Sequence, residues 1–236
     1  TTSLDYKLQK QSEDILKKEI ENLSSSKVGN GAAVVLDSKT GQILSMVGSK
    51  DYFAKSEPSG CKEGETCTFE PNVNVTIRLR QPGSAPKPIN YAKALERGYT
   101  ASQVYLDVKT EFPGGNKPTS IPVNYDGQYH GVVQMRYTLG NSYNIPAVKV
   151  LALNGVAEMI KMAREMGITS FEDESRYGLS LTLGGGEVRM TEMAVAFGVF
   201  ANEGTRVDLT SILKIEDSKG KVIEEFKPKS GKRVLS

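Results

Sequence analysis

The chain has 236 residues, 38% of them apolar, with 30 basic against 28 acidic side chains, a formal charge of +2, two cysteines and a single histidine. That is enough apolar material for one sizeable core, while the near-balanced charge excludes a dedicated nucleic-acid surface, so no nucleic-acid partner is expected. No apolar run reaches the about eighteen residues of a membrane span, and one histidine with two cysteines excludes a multi-histidine or zinc site; neither metal nor cofactor is expected. The sequence lacks an initiator methionine and a signal peptide, so it reads as an excised piece of something larger.

Thr1–Leu4 reads as an entering extended segment. Asp5 is placed to cap a helix with Leu8, Ile15, Leu16, Ile20 and Leu23 at helical spacing, ended by Ser24-Ser-Ser26 and Gly29-Asn-Gly31. Ala32–Leu36 and Gln42–Val47 are apolar, β-rich runs joined by Asp37-Ser-Lys-Thr-Gly41, which predicts a hairpin. The stretch after Ser49 is dominated by Gly, Pro, Ser, Asn and charge, and residues 50–76 are expected to form an irregular surface loop. Cys61 and Cys67 bracket a short polar part of that loop. They could close a small disulfide in an oxidising compartment, and whether they pair is left open by spacing.

Arg80-Gln-Pro-Gly-Ser-Ala-Pro-Lys-Pro88 then delivers a serine and, three residues on, a lysine into the start of a helix expected from about Ser84 to Gly98. Positions i and i+3 share a helix face, so the Lys87 amine can take the proton of the Ser84 hydroxyl once burial lowers the lysine pKa. The same spacing recurs at Ser24/Lys27, Ser59/Lys62, Ser211/Lys214 and Ser218/Lys221, so spacing alone is weak. Only the Ser84 pair follows a Pro-Gly turn and opens an apolar-periodic helix; the alternative is a capping serine beside a solvated lysine.

Further on, residues 110–131 read as a Gly/Pro-rich connection, Val132–Leu139 as a helix stopped by Gly140, and Pro146 as near the start of the next, with Asn141-Ser-Tyr-Asn144 as the joint. Val156–Met166 is a predicted helix closed by Gly167. Gly184-Gly-Gly186 precedes a helix expected over residues 187–202, whose methionines and phenylalanines are read as core. Residues 212–215 and 221–226 predict a hairpin, and 227–236 a poorly patterned basic tail. A serine–histidine–aspartate triad would depend on His130 alone and is not favoured.

Ser84 with Lys87, followed by Ser142-Tyr-Asn144 in a tight interhelical loop, resembles the order of active-site elements in the penicillin-recognising serine acyl-transfer enzymes. The likeness extends over the 33–44 hairpin, residues 80–88, Leu139–Val148, Leu183–Val188 and Phe200-Ala-Asn-Glu-Gly204, and resembles the transpeptidase domain of class A penicillin-binding proteins. It implies an α+β fold, an antiparallel sheet flanked by helices, for an incomplete domain covering residues 1–236. It also implies peptidoglycan D,D-transpeptidation: Ser84 attacks the penultimate D-Ala carbonyl of a stem peptide, Lys87 is the base, Ser142 relays a proton and Asn144 binds the donor amide and holds Lys87. Donor and acceptor stem peptides and β-lactams are the implied partners, at the extracytoplasmic face of a bacterial membrane that anchors the parent protein, this piece itself being soluble. A D,D-carboxypeptidase or β-lactamase, with water as acceptor, and a non-catalytic β-lactam sensor or scaffold are the alternatives.

Two features depart from the family pattern. Pro86 stands where an aromatic residue usually precedes the lysine. The third element, Lys-Thr-Gly, is expected after the Ser142 loop, yet its only occurrence is Lys39-Thr-Gly41, read as a hairpin turn. The C-terminal sheet strands are therefore expected to be missing here, supplied by a separate C-terminal polypeptide or lost by truncation in preference to a degenerate protein, and the isolated chain to be unstable or inactive.

Overall fold

A computed structural model describes residues 1–113, 119–228 and 230–236; parts of the 110–131 connection and of the basic tail fall outside it. The chain forms two compact units, one from residues 1–79 and 189–234 and the other from residues 80–188 with 235–236.

In the first unit, helix α1 (Tyr6–Asn22) begins where Asp5 accepts a hydrogen bond from the Leu8 amide at 3.0 Å. Strands β1 (Ala33–Leu36) and β2 (Ile43–Val47) pair antiparallel around the Asp37–Gly41 turn, which closes through the Gly41 amide and the Asp37 carbonyl at 2.8 Å. Lys39-Thr-Gly41 is thus a turn, as read. The Gln9 side chain treats β2 as a further strand would: its Nε2 donates to the Met46 carbonyl at 3.1 Å and its Oε1 accepts from the Met46 amide at 2.8 Å. Cys61 and Cys67 are joined in a disulfide inside an otherwise largely irregular segment.

The remaining elements of this unit are helix α6 (Met190–Ala201), which packs on β1, and strands β5 (Thr205–Arg206), β6 (Lys214–Glu216), β7 (Val222–Glu225) and β8 (Lys232–Arg233). β6 and β7 make the expected hairpin; β8, in the supposedly unpatterned tail, pairs with β5. The reading of the α6 aromatics as core is corrected. Met193 is buried, but Phe197 and Phe200 lie on the exposed side, edge to face at 6.1 Å. A helical stripe is only about 100° wide, and this helix is apolar beyond it.

The second unit is built around helix α4 (Asn144–Asn154), apolar almost all round, with Ile145, Ala147, Val148, Val150 and Leu151 buried. Helices α2 (Lys87–Glu96) and α5 (Val156–Glu165) pack against it. Tyr91, Ala94, Tyr105, Met135, Ala147 and Val150 form the central cluster. Two expectations are corrected here. The helix read from Ser84 starts at Lys87 and leaves Ser84 in the preceding turn, because Pro86 and Pro88 occupy the entry and neither has an amide to donate. Residues 132–139 are not one helix: strand β4 (Gly131–Gln134) pairs antiparallel with β3 (Val104–Asp107), and only then does helix α3 (Met135–Gly140) begin.

β3 escapes sequence reading because its pattern is inverted. Tyr105 and Asp107 point inward while Val104 and Leu106 are exposed. Among the described residues the strands form four two-stranded antiparallel ladders, within an α+β fold.

Candidate active site

The nucleophile candidate sits on a pinned turn. Arg80 and Val188 exchange backbone hydrogen bonds at 3.0 and 2.9 Å, fixing the strand-like approach to Ser84. Gly83 has φ +59, and Gly184, φ +92, rests directly against it: a Cβ on Gly184 would lie 2.5 to 2.6 Å from the Gly83 nitrogen, Cα and carbonyl oxygen. Glycine is required at 184 by backbone conformation and by contact. Gly185 and Gly186 are close-packed elsewhere, against Ser180 and against Leu181, Phe171 and Tyr177. The Ser84 carbonyl accepts from the Lys87 amide at 3.1 Å, while the Ser84 side chain is exposed and neither its hydroxyl nor its amide has a partner among the described residues.

Lys87 is the centre of the polar cluster. It is 1% exposed, and its ammonium reaches across the fold to the Ser142 carbonyl at 2.5 Å, Ser142 Oγ at 3.1 Å and Asn144 Oδ1 at 2.6 Å. Those contacts use all three of its protons. Burial pushes its pKa from 10.5 down to about 8, so a substantial neutral fraction exists near physiological pH. At 1.36 kcal/mol per pKa unit, that fall means carrying the charge costs the fold roughly 3 kcal/mol at neutral pH. The unfolded chain binds the extra proton between the two values, so this cost fades, and stability rises, as pH climbs from 8 toward 10.5.

The joint between α3 and α4 is as tight as expected, and one residue in it is strained. Ser142 has φ +55, a left-handed conformation sparsely used by residues other than glycine. The Ser142 amide bonds to the Leu139 carbonyl and the Tyr143 amide to the Thr138 carbonyl, both at 3.0 Å. Ser84, Lys87, Ser142 and Asn144 thus all belong to the second unit, with Lys87, Ser142 and Asn144 in direct contact.

Sequence reading missed a second set of residues beside this joint. Asn124 Oδ1 accepts the Asn144 amide at 2.7 Å, and its Nδ2 donates to Asp107 Oδ2 and to the Gln128 carbonyl, each at 2.8 Å. Asp107 Oδ2 also takes the His130 amide at 3.0 Å and faces His130 Nδ1 at 2.7 Å, and the His130 ring stacks on Tyr143 at 4.0 Å. In the sequence Asn124, Gln128 and His130 lie in a Pro/Asn/Asp/Gly run that signals only a loop, and Asp107 stands alone in an apolar stretch.

The hydrogen bond to Asp107 first, aided by the Asp126 carboxylate 3.0 Å from Nε2, raises the His130 pKa above 6.5. A raised histidine pKa gives stability that is full below 6.5 and lost as pH rises through the folded-state value. The melting temperature of wild type relative to His130→Gln is therefore expected to fall as pH rises above 6.5; an unchanged difference would mean that the imidazolium is not held by these carboxylates.

A cavity of about 590 Å³ lies elsewhere, in the first unit, walled by α1, β2 and residues 49–53 and 71–74; none of the candidate residues lines it. Among the described residues no cluster of histidine, cysteine and acidic side chains could hold a metal ion, and no helix is long and apolar enough to cross a membrane.

Comparison with known proteins supplies the family. A model described as the penicillin-binding protein transpeptidase domain matches residues 31–236, and the chain belongs to that family. Its kinship is with the class A proteins: it is 36% identical over 200 residues to penicillin-binding protein 1A of Neisseria lactamica, covering 84% of this chain and 23% of that protein. The crystal structure of penicillin-binding protein 1A from Haemophilus influenzae superposes with a TM-score of 0.70 at 30% identity, covering 86% of this chain and 28% of that one. The penicillin G acyl-enzyme complex of penicillin-binding protein A from Mycobacterium tuberculosis shares the fold, with a TM-score of 0.77 at 20% identity over 100% of this chain and 59% of that one. The chain spans about a quarter of the length of the curated relatives that it matches, 22% to 23%.

Proposed function

We propose that this chain carries the acyl-transfer site of a peptidoglycan D,D-transpeptidase working at the extracytoplasmic face of a bacterial membrane, with Ser84 as nucleophile. The observation that carries the reading is the buried Lys87, held by Ser142 and Asn144 at the entry to α2, three residues after an exposed Ser84 whose hydroxyl has no partner among the described residues. A lysine with a pKa of about 8 is a competent base where an ordinary one is not.

In the first half-reaction Ser84 Oγ attacks the penultimate D-Ala carbonyl, its proton passing to neutral Lys87. The Ser84 amide, without a partner among the described residues, is available to the developing oxyanion. The peptide C–N bond breaks, the Ser142 hydroxyl hands a proton to the departing D-Ala nitrogen, and Lys87 reprotonates Ser142. An amine of a neighbouring stem then attacks the ester, gives its proton to the same relay and expels Ser84 Oγ. A β-lactam enters by the first half alone: its ring amide opens, and the amine stays tethered to the acyl group and obstructs the second attack.

Intact mass after incubation with penicillin G, on the protein at its full natural length, tests this. Wild type is expected to gain one penicillin and Ser84→Ala none; an adduct that survives in Ser84→Ala would remove Ser84 from the mechanism. With a stem-peptide donor and an amine acceptor, cross-linked dimer is the expected product, and hydrolysed tetrapeptide alone would favour a carboxypeptidase.

A further inference from the structure

We infer that Asn124 is a positioning residue for the Ser142-Tyr143-Asn144 joint, anchored by the buried carboxylate of Asp107. The inference rests on the acyl-transfer reading of the site.

Asn144 is the first residue of α4, so its amide is among the donors that the helix itself leaves without a partner. Tyr143, at the capping position, offers no side-chain acceptor. The acceptor comes instead from Asn124, twenty residues earlier, at 2.7 Å. Val123, its neighbour, takes the Asn144 side-chain Nδ2 at 2.7 Å on its carbonyl. With the backbone amide and Nδ2 both engaged, the Asn144 amide group can turn only one way, with Oδ1 toward the Lys87 ammonium at 2.6 Å. Two consecutive residues thus decide which atom of Asn144 faces the candidate base.

Asn124 is itself fully committed. It is 4% exposed, its oxygen is used on Asn144, and its two amide protons go to Asp107 Oδ2 and the Gln128 carbonyl. Asp107 is completely buried on β3, and the same oxygen receives the amide of His130, whose ring supports Tyr143. The joint therefore has one clamp on Asn144 and one on Tyr143, both returning to Asp107. Such over-determination is what a left-handed Ser142 needs in order to persist. Removing Asn124 frees the joint to relax and carries Asn144 Oδ1 and Ser142 Oγ away from Lys87.

The test is a pre-steady-state measurement of penicillin acylation at full natural length, at a temperature where each variant is folded, separating the acylation rate constant from the dissociation constant of the initial complex. Asn124→Ala is expected to lower the rate constant about 10- to 100-fold, the cost of an ångström-scale misplacement, with the dissociation constant little changed. Asn124→Asp keeps the acceptor for Asn144 but sets a carboxylate against Asp107 and is expected to be as slow. Adding Asp107→Asn to it removes the charge repulsion and restores a donor–acceptor pair, but sets an amide donor against the His130 amide, so only part of the rate is expected to return. Asn154→Ala removes another buried amide of the same unit, one bonded to Asn90, and is expected to lower the melting temperature while preserving the rate constant. A wild-type rate in Asn124→Ala, a loss confined to the dissociation constant, or an equal loss in Asn154→Ala would overturn the inference alone; a wild type that forms no Ser84 adduct would overturn the reading beneath it as well.

Discussion

Lys87→Met is expected to slow the acylation of Ser84 by about 10³-fold, within the range that a positioned general base contributes. Methionine keeps the unbranched stem and its packing in a site where the wild-type side chain is 1% exposed, so the change is chiefly of chemistry. The pH dependence carries the sharper signal. Only the neutral amine can accept the Ser84 proton, and the pKa is held at about 8 by burial. The wild-type rate should climb nearly tenfold per pH unit below that value and flatten above it, whereas the residual rate of Lys87→Met should lack the step. A wild-type profile flat across that range, or a variant within tenfold of wild type, would assign the proton to another group. Ser142 is the first candidate, since its Oγ lies 3.1 Å from the ammonium.

Gly184→Ala is expected to damage the site without touching a reacting atom. Two effects add. At φ +92 an alanine carries the left-handed strain of about 1–2 kcal/mol, and its Cβ meets backbone atoms of Gly83 at 2.5 to 2.6 Å, which no rotamer change relieves. Overpacking against rigid neighbours costs a further 1–3 kcal/mol or so, so a stability loss of about 2–5 kcal/mol is expected. The strain should be relieved by pushing the Gly83–Ser84 turn outward, and acylation should fall by about 10². Gly98→Ala isolates the first effect: its φ is +90, but nothing lies within 4 Å of the added carbon. That variant should lose only the left-handed term in a urea or thermal melt and acylate normally. Equal behaviour of the two would mean that the Gly83–Gly184 contact has no bearing on the nucleophile.

Local chemistry was readable from the chain alone. The Ser84/Lys87 spacing, the Asp5 cap, the Asp37–Gly41 turn and the apolar runs of α4 and α5 are all set by near neighbours, and near neighbours leave a pattern in sequence. The i, i+3 argument nevertheless aimed Lys87 at Ser84, whereas in the fold its three protons go to residues 55 and 57 positions away. The family resemblance put Asn144 beside Lys87, but no local pattern in the chain did. Tertiary structure alone decided that Asp107 and Tyr105 face inward from β3 while its valine and leucine do not, that Phe197 and Phe200 stay exposed, and that Asn124 caps a helix beginning twenty residues later. A buried lysine or aspartate is tolerable only where distant groups supply its hydrogen bonds. Such partnerships depend on which surfaces the packed elements bring together, and they impose no periodicity on the chain that contains them.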